Sequence, residues 1–200
     1  MTLAVQVLLA SGSPRRRELL TQIGVQFELI LPDCDEQILP GEAAEQYVAR
    51  VALDKARAGW AMAAQRNLPV LGADTSVIVD QQILGKPVDQ THAAQMLRAL
   101  AGRTHRVLTA VALVQGTSEQ IVVQQSMVRM RAISDQEMTA YWNSGEPQGK
   151  AGGYAVQGLG AIFIEHIEGS YSGIMGLPVF ETAQLLQRFG VGVLFNEELK

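Results

Sequence analysis

The sequence of 200 residues holds one cysteine and three histidines, and these shortages, with two others, close off whole classes of function. With Cys34 alone no internal disulfide can form, which fits a reducing compartment, and no Cys/His set has the spacing of a zinc site. No apolar run approaches the roughly 18 residues that a membrane helix needs. Sixteen Lys and Arg stand against twenty Asp and Glu, a formal charge of -4, so the basic surface required for non-specific nucleic-acid binding is missing. The N-terminus has no basic region ahead of its first apolar run, which reads as a strand and not as a signal peptide, and a cytoplasmic protein is expected. Repeats and low-complexity tracts are also absent. The 48% hydrophobic content, with 18% charged residues, is ordinary for one globular domain spanning 1–200.

What is present centres on residues 70–87. An apolar run of strand character, Val70 to Val79, carries a lone carboxylate, Asp74, in its middle. Burying an unpaired carboxylate costs several kcal/mol or forces it to neutralise, so Asp74 needs a cation, a metal or water at hand. Asp80-Gln81-Gln82 reads as a turn, and a hairpin there brings Lys86 back to about the level of Asp74. The plainer reading makes Asp74 a structural group bonded to backbone and Lys86 a solvated loop residue.

Earlier in the chain, Leu3 to Ala10 reads as a strand covered on both faces. A helix follows, with Ser13 as N-cap, Pro14 in the first turn, a stripe of Leu19, Leu20 and Ile23, and Gly24 at its end. The turn between them offers free N–H groups, the hydroxyls of Ser11 and Ser13 and the positive end of a helix dipole. Arg15, Arg16 and Arg17 add charge where a helix disfavours it, which an anion would compensate. Val25 to Pro32 is a second strand candidate. The next four residues, Asp33-Cys34-Asp35-Glu36, suit either a divalent cation or a solvated acidic turn. Cys34 reads as a packing residue.

The spacing predicts a long helix over 42–66 with an inward stripe of Val48, Val51, Ala52, Gly59 and Met62. Lys55 falls on that stripe, so its ammonium must snorkel out or meet an anion. Arg57 and Arg66 fall on the surface. A helix capped by Asp89 buries Ala93, Met96, Leu97 and Leu100, with His92 in its first turn at the surface. Arg103–Val114 and Ile121–Ile133 form an antiparallel hairpin. His105, at the start of the first strand, either touches substrate or is a hydrogen-bonded structural residue. Ser134 and Glu137 make a capping box, with Ile133 and Met138 as its staple.

Residues 144–160 hold six glycines, yet Gly145 to Ala151 fails as a P-loop. It is one residue short, has Ala151 in place of the hydroxyl and follows a helix. A glycine-rich loop remains, where backbone can approach a flat ligand and Gln157 can offer a donor and an acceptor to a base edge. Ala161–Ile167 is a strand with His166 at its end, and Pro178–Phe189 a closing helix.

Several of these stretches, in this order, resemble the Maf family of nucleoside triphosphate pyrophosphatases. They are Leu9 to Arg16 with Glu18-Leu19-Leu20, Lys55-Ala56, Gly72 to Thr75, Leu84 to Pro87, Gly102 to His105, Lys150 to Tyr154 and Gly176 to Pro178, and the resemblance covers the chain from Leu8 to about Leu186. The resemblance implies an α/β fold similar to that of inosine triphosphate pyrophosphatases, a mixed twisted sheet with flanking helices and two lobes around a cleft, often as a homodimer. It implies hydrolysis of a nucleoside triphosphate to the monophosphate and pyrophosphate with a divalent cation (Mg, Mn or Co), and no membrane or nucleic-acid partner. By matching position Asp74 is the catalytic carboxylate, Ser11, Ser13, Arg15, Arg16, Lys55 and Lys86 bind the polyphosphate, and Glu36 joins Asp74 at the metal. Arg16, Thr75 and Gln157 look like the set of the dTTP and UTP branch, whereas a 7-methyl-GTP branch carries an acidic residue in place of Gln157. A nucleotide-binding role in septum formation is the alternative of a different class.

Overall fold

The computed structural model describes residues 4–193. Leu3, where the first strand was expected to begin, lies outside the described residues. One mixed sheet of seven strands organises the described chain. The strands are β1 (Val7–Ala10), β2 (Phe27–Ile30), β3 (Val70–Val79), β4 (Gln82–Leu84), β5 (Thr104–Gln115), β6 (Ser118–Met130) and β7 (Ile164–Glu168). Their order is β2-β1-β3-β5-β6-β7, with β4 paired to β3 off this path. β1 lies parallel to β2 and β3; every other pairing is antiparallel. β1 and β3 are buried almost throughout, as a strand covered on both faces must be, which explains their unbroken apolar runs.

β3 has an interrupted edge. On one side it pairs with β5 from Val70 to Ile78. On the other, β1 covers only Val70 to Gly72 and β4 only Val77 to Val79, so residues 73–76 have no strand beside them. The hairpin from β3 to β4 turns through Asp80 and Gln81, both at positive φ as a two-residue hairpin turn of this twist requires. Continued past Leu84, the same register returns the chain to the open stretch of edge, and Lys86 follows there.

Side chains alternate along a strand, and β3 therefore sorts its neighbours by face. Ala73 packs into a cluster with Leu19 and Leu20 of α1 (Pro14–Gln22) and Leu185 and Leu186 of α6 (Val179–Arg188). Val77, on the same face, joins a second cluster with α3 (Gln90–Leu100) and α4 (Asp135–Asn143). The opposite face, with Ile78 and the alternate residues of β5, is covered by Val48, Ala52 and Ala56 of α2 (Ala44–Ala63). A side chain at Gly72 would meet the Ala52 carbonyl oxygen at 2.3 Å and the Ala56 nitrogen at 2.6 Å, so glycine is what lets α2 lie against β3.

The expected stripe of α2 is buried at Val48, Val51, Ala52 and Gly59, but Met62 is 55% exposed. Ala63, four residues past Gly59, takes the inward place, and the helix then tightens into a 3-10 turn at Ala64–Arg66. Ser13 holds the N-cap position of α1 without capping through its side chain; its N–H donates to Ser11 Oγ at 3.2 Å instead. The capping box at Ser134 and Glu137 and the Asp89 cap form as the sequence indicates. A short helix, α5 (Tyr171–Met175), was not evident in the sequence.

Candidate active site

A cavity of about 790 Å³ opens at the uncovered stretch of β3. All ten residues singled out by sequence line it: Ser11, Ser13, Arg15, Arg16, Glu36, Lys55, Asp74, Thr75, Lys86 and Gln157. Alternation along β3 divides them. Asp74 points to the α2 face and Thr75 to the α1 face, and the gap in the edge joins the two sides.

On the α2 side, Lys55 meets the anion that its inward position demanded. Its Nζ donates to Asp74 Oδ1 at 2.9 Å and lies 2.8 Å from Glu36 Oε1. Asp74 is 8% exposed, so its charge is held by this partner out of bulk water. Burial works to raise the Glu36 carboxyl, but the Lys55 hydrogen bond and charge, with Lys86 and Arg16, outweigh it and hold it below the usual carboxylate range. Tyr47 stands eight residues before Lys55 on the same helical face and donates to the Glu36 carbonyl oxygen at 3.0 Å. Its phenol is pushed up to about 12 by burial and by the charges of Asp74 and Glu36. Cys34 lines this wall half-buried, and burial is the first cause that pushes its thiol up.

Across the gap, Arg16 is buried and donates from all three guanidinium nitrogens. Nε reaches the Gly176 carbonyl oxygen at 2.9 Å, Nη1 reaches Ser11 Oγ at 3.0 Å and Nη2 reaches Thr75 Oγ1 at 3.3 Å. Burial lowers its pKa, the nearby Asp74 carboxylate opposes the change and Arg15 adds to it. Arg15 donates through Nε to the Met175 carbonyl oxygen at 3.2 Å, which leaves the rest of its fork for the cavity. Both arginines are thus held by the carbonyl end of α5. Thr109 completes the frame by donating to Gly173 O at 2.7 Å and contacting Thr75 Oγ1 at 3.0 Å.

The glycine-rich loop forms the remaining wall. Gly152 N–H donates to the Gly85 carbonyl oxygen at 3.0 Å, tying this loop to the one that carries Lys86. Gly152 sits at φ +67, and a side chain there would meet Val77 Cγ1 at 2.9 Å, so no other residue fills the place without strain. Lys86 is exposed at the rim, and its charge bears on Glu36. Gln157 is exposed at the other rim.

His105 proves to be structural. It is 2% exposed, its Nε2 lies 2.8 Å from Tyr154 Oη, and it is absent from the cavity wall. Tyr47 and Met175 line the cavity without having been singled out, and Lys150, which opens one of the family-like stretches, lines it without having been given a role. The helical period running back from Lys55 carried the signal for Tyr47; nothing local carried one for Met175.

Chemically, the cavity gathers Arg15, Arg16, Lys86 and Lys150, a set that suits a polyanion, and presents two carboxylates on the Lys55 ammonium. Among the described residues no group of three His, Cys, Asp or Glu side chains could hold a metal ion. Two carboxylates suit a magnesium-like ion that takes its other ligands from water and phosphate oxygens. Fold and site together define the class. The chain belongs to the Maf family: the model described as Maf-like protein matches residues 6–189. A protein of Aromatoleum aromaticum called dTTP/UTP pyrophosphatase is 54% identical over 197 residues, covering 92% of this chain and 96% of its own. Proteins of the same name from Alkalilimnicola ehrlichii (51%, 92% and 93% covered) and Escherichia coli O157:H7 (52%, 90% and 91% covered) are similar. The Ham1 protein of Staphylococcus aureus aligns in structure over 62% of this chain and 71% of its own, with a TM-score of 0.44 at 14% identity.

Proposed function

We propose that this protein hydrolyses dTTP and UTP to the monophosphate and pyrophosphate. One observation carries the reading: Asp74 and Glu36, held on Lys55, open into the same cavity as Arg15, Arg16 and Lys86, in a chain about half identical to proteins named for this activity.

In this reading the triphosphate crosses the turn from Ser11 to Arg16. Backbone N–H groups and the start of α1 receive phosphate oxygens, while Lys55 and Lys86 approach from the facing side. Asp74 and Glu36 are the residues that would hold a divalent cation, and such an ion neutralises phosphate charge and acidifies water. Asp74 in this reading accepts a proton from the attacking water; its position at the gap and the Lys55 hydrogen bond to its Oδ1 support that role. Negative charge moves onto the departing pyrophosphate in the transition state. Fixed cations aimed there act without reorganisation, and one such donor is worth about 3 to 4 kcal/mol. A cytoplasmic setting, where nucleotide pools lie, and a homodimer belong to the same reading; no helix among the described residues is long and apolar enough to cross a membrane.

Purified protein assayed with Mg²⁺ against dTTP, UTP, CTP, ATP and 7-methyl-GTP tests this. Monophosphate and pyrophosphate should appear from dTTP and UTP ahead of the others, and Asp74→Asn should abolish turnover with an unchanged melting profile. Free phosphate as first product, or full activity in Asp74→Asn, contradicts the reading.

A further inference from the structure

The glycine-rich loop is built around one carboxylate. Glu146 Oε1 accepts from Tyr141 Oη at 2.7 Å and from Gly160 N–H at 2.9 Å, and Oε2 accepts from Leu159 N–H at 2.9 Å. The backbone carbonyl oxygen of the same residue accepts from Lys150 Nζ at 2.6 Å. Glu146 therefore fixes Lys150 on one limb of the loop and, on the other, the segment that follows Gln157 directly. Both side chains line the cavity, half-buried in one case and at the rim in the other.

Lys150 lies across the gap from Asp74 and Lys55, on the side that also carries Arg15 and Arg16. Its loop packs through Gly152 on Val77, which shares the Thr75 face of β3 and lies opposite the Asp74 face. The charges acting on Glu36 include Lys55, Lys86 and Arg16, whereas those acting on Lys150 are Arg15 and Glu146. Burial and the neighbouring Arg15 both lower the Lys150 ammonium pKa. Ala155, Val156 and Ile174 line the same cavity and supply apolar surface for a flat ring.

Resting on the function proposed above, we infer that Lys150 is a specificity-determining residue that donates to a carbonyl oxygen of the pyrimidine base and thereby selects uracil and thymine over cytosine. An ammonium has three donors and no acceptor. Uracil and thymine present a carbonyl oxygen at C4, and cytosine presents an amino group there. A donor facing that amino group leaves two donors opposed and unpaired, the kind of mismatch on which polar sites discriminate most strongly. Gln157, with a donor and an acceptor, complements the adjacent N–H and carbonyl but can rotate its amide to suit cytosine as well. Lys150 has no such freedom of sign.

The test compares wild type, Lys150→Met and Lys150→Arg by kcat/KM for dTTP, UTP and CTP, by inhibition with UMP and CMP, and by inhibition with inorganic tripolyphosphate. In Lys150→Met the preference for UTP over CTP should fall about tenfold or more, in the range set by losing a paired buried donor. UMP should inhibit more weakly and CMP no less, tripolyphosphate should inhibit as before, and Lys150→Arg should keep the preference. An equal loss for UTP and CTP with weaker tripolyphosphate inhibition would make Lys150 a phosphate ligand and overturn the inference, as would an unchanged UTP/CTP ratio. If Lys150→Met fails to fold, a UTP/CTP preference in Lys150→Arg reduced to that of a non-selective enzyme also overturns it. Wild type that cleaves no triphosphate counts instead against the underlying function.

Discussion

Arg16 shows how one side chain can organise a site without being its reactive centre. Its fork spans Ser11 on the first turn, Thr75 on β3 and Gly176 beyond α5, three segments far apart in sequence. Lysine keeps the charge but not the fork, so Arg16→Lys should leave buried acceptors unpaired and cost about 2 kcal/mol of stability. It should also lower kcat/KM for both pyrimidine substrates together, since Ser11 and Thr75 lose their common tether; melting curves and steady-state kinetics check this. Asp74 and Lys55 were legible in the sequence because each broke a pattern: a charge within an apolar strand, and a lysine on the inward stripe of a helix. The structure answers both with one ion pair. Ser13 misled because small polar residues before a proline signal a cap, whereas here the Ser11 hydroxyl takes the turn's N–H. Lys150 stood in a family-like stretch but had no periodic neighbours to show a role, and tertiary packing of its loop brings it to the cavity.

Among the elements, the contact of α2 with β3 is what brings Lys55 to Asp74. Gly72 permits it, because any side chain there meets the backbone of Ala52 and Ala56. Gly72→Ala should force the helix outward, destabilise the fold by about 1 to 3 kcal/mol as overpacking does, and reduce kcat more than the melting temperature alone explains. Kinetics below the transition, set beside thermal denaturation, separate the two effects. Most strands and the longer helices could be read from period and caps, since α3, α4 and α6 each bury a regular stripe. α5 could not. Its five residues make little more than a turn and include Gly173, so neither period nor propensity marks it, although it holds both arginines in place.

At the scale of the whole molecule, acid sensitivity should begin with His105. Burial pushes its imidazole down to about 4, and Nδ1 has no hydrogen-bond partner, so the folded protein keeps the ring neutral. An unfolded chain binds that proton near pH 6.5. The associated stability is therefore complete above about pH 6.5 and falls away as pH drops toward 4, by up to about 3 kcal/mol. Denaturant titrations at pH 7.5, 6.0 and 4.5 should trace this decline, and His105→Gln should flatten it. The sheet's mixed pairing has a further consequence, in the order of assembly. β5 and β6 are joined by a two-residue turn and can zip together locally, whereas β1 reaches β3 only after α1, β2 and α2 have been threaded between them. Non-local parallel pairing of this kind is slow to establish. The β5–β6 hairpin should therefore close ahead of the β1–β3 pairing, so a heat-stressed molecule that keeps the hairpin can still lack the wall that the Ser11–Arg16 turn gives the cavity.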